Sequence, residues 1–125
     1  MSSNLLQNDD EVNEARATLF RALGDPTRLR IYQTLIETDK PLNVTELCER
    51  TDLSYNLVSH HLQCLNNCTL VEAKQEGRKR FYRVAQQAGP RMVELADECI
   101  RQDIDSVLGC DIARAESDMD TPNDV

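Results

Sequence analysis

NVTELCERTDLSYNLVSHHLQCL, residues 43–65, is the stretch whose reading decides the fold. Asn43-Val-Thr-Glu46 sets a capping side chain three residues ahead of a glutamate, the pattern of a capping box. It predicts a short helix ending near Arg50, with Leu47 as its buried anchor. Thr51-Asp52-Leu53 supplies the turn, and Ser54 caps a second helix running to about Asn66. Val58, Leu62 and Leu65 recur there at helical spacing and face a core. Two helices joined by so short a turn make a helix-turn-helix.

Upstream, Val12, Ala15, Leu19, Ala22 and Leu23 predict a helix over about Asp10 to Leu23, ended by Gly24. Asp25-Pro26 is an N-cap followed by proline at the first helical position, where its missing N–H costs nothing. The helix it opens runs through Ile36 and buries Leu29, Ile31, Leu35 and Ile36. Downstream, Leu70 to Gln75 and Arg80 to Val84 read as strands joined at Glu76-Gly77-Arg78. Gly89-Pro90 then starts a last helix through about Leu108. The expected fold is mainly α with a small β-hairpin, a winged helix-turn-helix that dimerises through its terminal helices. Residues 1–9 are expected to be a flexible acidic N-terminus, 10–110 the DNA-binding and dimerisation domain, and 111–125 a disordered acidic tail.

A chain of 125 residues builds one modest core and benefits from association. No apolar run approaches the roughly 20 residues that span a bilayer, and Met1-Ser-Ser-Asn lacks the basic and apolar regions of a signal peptide. The expected location is the cytoplasm, without membrane association. Five cysteines there should stay reduced, which favours metal binding or redox sensing over a disulfide framework. The net charge of −8 is segregated: residues 1–15 carry −4, residues 16–92 carry +4, and residues 93–125 carry −8. Lys74, Arg78, Lys79, Arg80 and Arg83 crowd the hairpin within the basic middle, as contact with phosphates requires.

Base readout belongs to exposed residues at the start of the second helix of the motif. Ser54, Tyr55, Asn56, Ser59 and His60 are the candidates, with Lys74, Arg78, Lys79 and Arg80 contributing salt-sensitive, nonspecific affinity to double-stranded operator DNA. Cys64 and Cys68 lie four residues apart near the end of the same helix, so both thiols face one side and can reach a single soft ion. Leu57, His61, Cys64 and Cys68 form a stripe beside the core stripe. His61 shares the thiols' side as a potential fourth ligand, although a structural hydrogen bond or a DNA-facing role suits it better. Buried small apolar packing is the competing reading for any of these cysteines, and the favoured one for Cys48 and Cys99.

From Leu19 to Cys110 the chain resembles the ArsR/SmtB family. The resemblance rests on Ala22-Leu-Gly-Asp-Pro-Thr-Arg-Leu-Arg-Ile31, Glu46-Leu-Cys48, Val58-Ser59-x-His61-Leu62, and Gly77-Arg78 before Tyr82. It implies a homodimeric winged-helix repressor that leaves its operator when a metal or other inducer binds. Within that family, Cys64-x-x-x-Cys68 with a distant Cys110 most resembles the CmtR-type cadmium/lead sensors. That likeness implies three thiolate ligands, Cys110 coming from the other subunit, and cadmium(II) or lead(II) as inducer, with zinc(II) or arsenic(III) as further possibilities. Three thiolates suit soft ions over magnesium or calcium.

Asp97-x-Cys99, followed after ten residues by Cys110, copies the spacing of the family's last-helix zinc or nickel site, with cysteines where that site has histidines. Its final ligand position falls on Ala113, so a zinc site of that type is not expected, and Cys99 reads as an auxiliary thiolate, a redox partner or, the favoured reading, packing on the final helix. Cys48 is followed by Glu49 and Arg50, without the cysteine pair that the family's arsenic or cadmium site needs.

Two alternatives accompany the metal reading. In one, the same repressor fold uses its cysteines as a redox- or persulfide-responsive thiol switch. In the other, Cys64 or Cys99 is the nucleophile of a thiol enzyme with His60 or His61 as base. Neither an oxyanion site nor a third orienting group supports that enzyme, and no enzyme activity is expected.

Overall fold

A computed structural model describes residues 8–120. Its helices and strands follow the order α1 (Asp9–Leu23), α2 (Pro26–Glu37), β1 (Leu42–Asn43), α3 (Val44–Thr51), α4 (Tyr55–Asn67), β2 (Val71–Glu76), β3 (Lys79–Val84), α5 (Ala88–Gln102), α6 (Ile104–Leu108) and α7 (Asp111–Asp120). Local chemistry explains most boundaries. Asn8 caps α1 through its side chain, and Asp25 caps α2 by accepting from the Arg28 amide at 2.8 Å. The capping box of α3 is complete: Glu46 N donates to Asn43 Oδ1 at 2.8 Å and Asn43 N to Glu46 Oε1 at 2.9 Å. Asp52, at φ 61°, ends α3 in the left-handed region, where a short polar side chain is tolerated, and so forms the tight turn into α4.

The core is largely the one expected, except that Leu29 and Ile36 of α2 are half-buried rather than buried. Ile31, Leu35, Leu47, Val58, Leu62 and Leu65 are buried together with Tyr32, Leu42, Leu70 and Val71. The hairpin β2–β3 closes at Gly77, whose φ of 65° at the first turn position fits a two-residue loop between the paired residues Glu76 and Lys79. Sheet order is β1-β3-β2, antiparallel throughout.

Four expectations are corrected. Leu42–Asn43 adds a third strand beside β3, a pairing too short to announce itself in sequence. The last long helix does not run to Leu108. It stops at Gln102, and Asp103, whose carboxylate caps the Ser106 amide, restarts the chain as α6. The tail is not irregular over Asp111–Asp120, which form α7, while residues 121–125 lie outside the described part. Helix α1 begins at Asp9, so that residue leaves the N-terminal segment, of which residues 1–7 lie outside the described part.

Helices α1, α5 and α6 leave apolar side chains uncovered within one chain. Phe20, Leu95, Ile104, Val107 and Leu108 are each more than half exposed. Among the described residues no helix is long and apolar enough to cross a membrane.

Candidate nucleic-acid interface and thiol site

The start of α4 presents the residues expected to read bases. Ser54 is the N-cap and accepts from the Leu57 amide at 3.2 Å, so its hydroxyl oxygen is engaged in holding the helix end. Tyr55, Asn56, Ser59 and His60 all point outward, Tyr55 with 59% of its surface exposed. On the hairpin, Lys74, Arg78, Lys79 and Arg80 are exposed. Two of the basic side chains there have acidic neighbours: Lys74 Nζ lies 3.8 Å from Glu76 Oε2, and Arg83 pairs with Glu72. Both pairs face solvent, where such contacts are weak and readily exchanged for a phosphate.

At the other end of α4 the two expected thiols are neighbours. Cys64 lies on the last turn and Cys68 is the C-cap, its amide donating to the Cys64 carbonyl at 3.0 Å. Both are half-buried against the core. Burial pushes the Cys68 thiol above the ordinary value, the charge of Cys64 and a hydrogen bond with its thiol add to that, and the Arg28 guanidinium opposes it. An open cleft of about 510 Å³ between α1 and the end of α4, lined by Glu11, Glu14, Leu19, Asn67, Cys68 and Thr69, gives access to Cys68.

Cys110 stands apart, exposed at the junction of α6 and α7, and Cys99 is exposed on α5. Among the described residues no three His, Cys, Asp or Glu side chains converge as a metal centre. Of the candidate thiols, Cys64 and Cys68 are the two that stand side by side within one chain. Cys48 is half-buried on α3, its thiol pushed up by burial and then by Glu49.

These features, an outward-facing polar helix start beside a basic wing, fit a family of regulators. Residues 25–73 match the bacterial regulatory proteins of the arsR family. A probable mercury resistance operon repressor of Streptomyces lividans is 35% identical over 97 residues, covering 78% of this chain and 75% of that protein. The chain belongs to the ArsR family. Its members are DNA-binding transcriptional regulators rather than enzymes, and the thiol-enzyme alternative falls with that assignment. The regulator CmtR of Mycobacterium tuberculosis is 44% identical over 71 residues, 57% of this chain and 58% of CmtR. Among solved structures, a homodimeric winged helix-turn-helix domain from Mycobacterium bovis, described as a possible ArsR-family regulator, superposes with a TM-score of 0.68 at 25% identity, covering 81% of this chain and 94% of that one.

His61 and His60, adjacent on α4, are placed differently. His61 is 1% exposed and points inward, while His60 faces out. The Arg28 guanidinium lies 3.2 Å from His61 Nδ1, and Asp25 Oδ2 lies 3.7 Å from Nε2. A guanidinium only donates, so a hydrogen bond between the two has His61 Nδ1 as its acceptor. His61 thus ties α4 to the start of α2, which agrees with its expected structural hydrogen bond. Arg28 was not singled out by sequence. It stands inside the family-like Asp25-Pro-Thr-Arg28 run with nothing in its spacing to tie it to a residue 33 positions away.

Proposed function

We propose that this ArsR-family chain is a homodimeric repressor that binds double-stranded operator DNA and releases it when a soft metal ion is held by Cys64, Cys68 and Cys110. Cadmium(II) and lead(II) are the ions proposed, with Cys110 supplied across the dimer. The observation that carries this reading is the pair of adjacent thiols at the end of the helix whose start faces outward as a DNA reader. The exposed apolar faces of α1, α5 and α6 support association with a second copy, which in this reading supplies the third thiolate. Relatives named for mercury and cadmium resistance support a soft ion as the class of inducer. A bound soft cation would hold deprotonated sulfurs together, which favours thiolate over thiol. Cys99, exposed on α5, is left as an auxiliary ligand at most.

In this reading Tyr55, Asn56, Ser59 and His60 contact base edges, Ser54 fixes the helix start, and Lys74, Arg78, Lys79 and Arg80 hold phosphates. Tying the end of α4 to the other subunit's Cys110 reorients the two reading helices relative to successive major grooves. Release needs only tighter ion binding by the DNA-free arrangement, and coupling of about 1–3 kcal/mol weakens operator affinity roughly 5- to 150-fold.

The test is fluorescence anisotropy of the reduced, anaerobic protein on its promoter DNA during a cadmium titration. Release by the unaltered chain, and its loss in Cys64→Ser and Cys110→Ser with DNA binding retained, is the expected result. DNA that stays bound at saturating cadmium overturns it. The adjacency of Cys64 and Cys68 then favours the thiol switch, in which oxidant or persulfide acts on the same pair and reductant reverses the effect.

A further inference from the structure

Thr69, the residue after the C-cap of α4, has φ 65°, in the left-handed region that glycine enters freely and a β-branched residue enters only under strain. The conformation closes the helix. The Thr69 amide donates to the Asn66 carbonyl at 3.1 Å and the Leu70 amide to the Leu65 carbonyl at 3.0 Å, the paired bonds of a helix end at which glycine is the common residue. A branched residue keeps that geometry only where its surroundings fix it. On one side Leu70 is buried, and its carbonyl accepts from the Ala85 amide at 3.1 Å. Thr69 itself is held by the side chain of Gln86, whose Nε2 donates to the Thr69 carbonyl at 3.0 Å and lies 3.4 Å from Oγ1. Both residues are exposed, and Gln86 belongs to the link between β3 and α5. Between the C-cap of α4 and the first strand of the hairpin stand only Thr69 and Leu70.

We propose that Gln86 is a positioning residue for operator binding, and that by holding Thr69 in its left-handed conformation it fixes the angle between α4 and the hairpin. The inference rests on the reading of α4 and the hairpin as the two DNA-contacting elements, and it involves no metal ion. Reading bases with α4 while the hairpin holds phosphates requires the two elements in one relative orientation. Relaxation of Thr69 to negative φ gives up the helix-closing bonds and swings α4 relative to β2. Gln86 opposes it, because its hydrogen bond is made to the carbonyl that such a rotation redirects. Without that bond a fraction of the molecules carries α4 and the hairpin out of register, and apparent operator affinity falls with the competent fraction. Affinity for DNA of any sequence comes mostly from phosphate contacts and tolerates the change better. Glycine at position 69 removes the strain, and with it the need for the clamp.

The test is a double-mutant cycle read on two duplexes. Affinities for the operator and for a scrambled duplex are measured by anisotropy, with reductant and chelator present, for Gln86→Ala, Thr69→Gly and the two combined. Gln86→Ala should bind the operator about tenfold more weakly while its affinity for the scrambled duplex changes by less than about twofold. Thr69→Gly should keep operator affinity, and adding Gln86→Ala to it should change that affinity by less than about twofold. A loss from Gln86→Ala that is the same with and without Thr69→Gly overturns the proposal. So does an equal loss on both duplexes, since a contact that merely stabilises the fold does not discriminate between them. Thr69→Val keeps the branched side chain and removes the hydroxyl, so it should retain the full dependence on Gln86. Loss of that dependence would assign the effect to the hydroxyl rather than to strain, and would overturn the proposal as well. If Asn56→Ala and Arg78→Ala leave operator affinity unchanged, the reading of α4 and the hairpin as DNA contacts fails separately, and the cycle still decides whether Gln86 acts through Thr69.

Discussion

At Cys68, burial and the neighbouring Cys64 work against ionisation, and Arg28 works for it; the balance keeps the thiol above the ordinary 9.0. A thiolate is the nucleophile in alkylation, so this cysteine should be slow to react at neutral pH despite lining an open cleft. Iodoacetamide at neutral pH should therefore label exposed Cys110 well before Cys68 and Cys48, as read by peptide mass spectrometry over time. Equal rates at Cys110 and Cys68 would show that the thiol pair is not shielded. The same shift has a sign for stability. The folded state holds the Cys68 proton more tightly than the unfolded chain, so this contribution is complete below about pH 9.0 and declines as pH rises through the higher folded value. Cys48, also raised by burial, acts in the same direction. The thiols of residues 64 and 68 were legible as a pair because helical spacing alone brings them together. The partners of His61 were not, since Asp25 and Arg28 reach it from another element.

Between elements, α5 meets α2 at Gly89 and Tyr32. Gly89 is buried at the start of α5, and a Cβ there would sit 1.8 Å from Tyr32 Oη and 3.0 Å from Tyr32 Cζ. The Tyr32 hydroxyl is buried and makes no hydrogen bond among the described residues. Gly89→Ala offers a better helix former, worth about 1 kcal/mol, but the clash forces the packed ring to move, at a cost of about 1–3 kcal/mol. The clash should win. Tyr32→Phe removes both the obstructing oxygen and an unpaired buried polar group, so alone it should be neutral or stabilising by about 1 kcal/mol. Urea denaturation at fixed protomer concentration should show Gly89→Ala destabilised, with most of the loss recovered in the Tyr32→Phe background. Equal losses in both backgrounds would mean that α5 is not seated on Tyr32. Sequence patterns identified α1 to α4 and the hairpin through caps, proline and periodicity, all of them local signals. Strand β1 and the break at Asp103 escaped, the first because two residues carry no period. The second escaped because Asp103 acts as a cap only once Gln102 has ended α5.

Across the whole molecule, charge is sorted so that the middle, residues 16–92, is basic and the C-terminal quarter strongly acidic. Helix α7 brings part of that acid back to the body of the domain: Ala113 and Glu116 line a cleft with Phe20, Arg21 and Arg28. Of the ligand set expected from sequence, Cys64 and Cys68 lie together, while Cys110, just before this same helix, joins no cluster of three metal-binding side chains among the described residues. The proposed completion of that set by a second subunit is something no local pattern encodes. The acids of the tail raise a separate question, whether they weaken attraction to DNA of any sequence. Removal of residues 112–125 keeps Cys110 and takes away four acids and one arginine, so each chain becomes less negative by three charges. Repulsion from the phosphates acts at long range only when salt is low, with a screening length of about 30 Å at 0.01 M and 10 Å at 0.1 M. The truncated protein should thus bind a scrambled duplex severalfold more tightly at low salt, with the difference fading toward physiological salt. Operator binding should rise in parallel, leaving the ratio of specific to nonspecific affinity nearly unchanged, because the tail reads no bases. Unchanged nonspecific affinity at low salt would reduce the acidic tail to a solvated end, and a changed ratio would mean that α7 positions the reading helices.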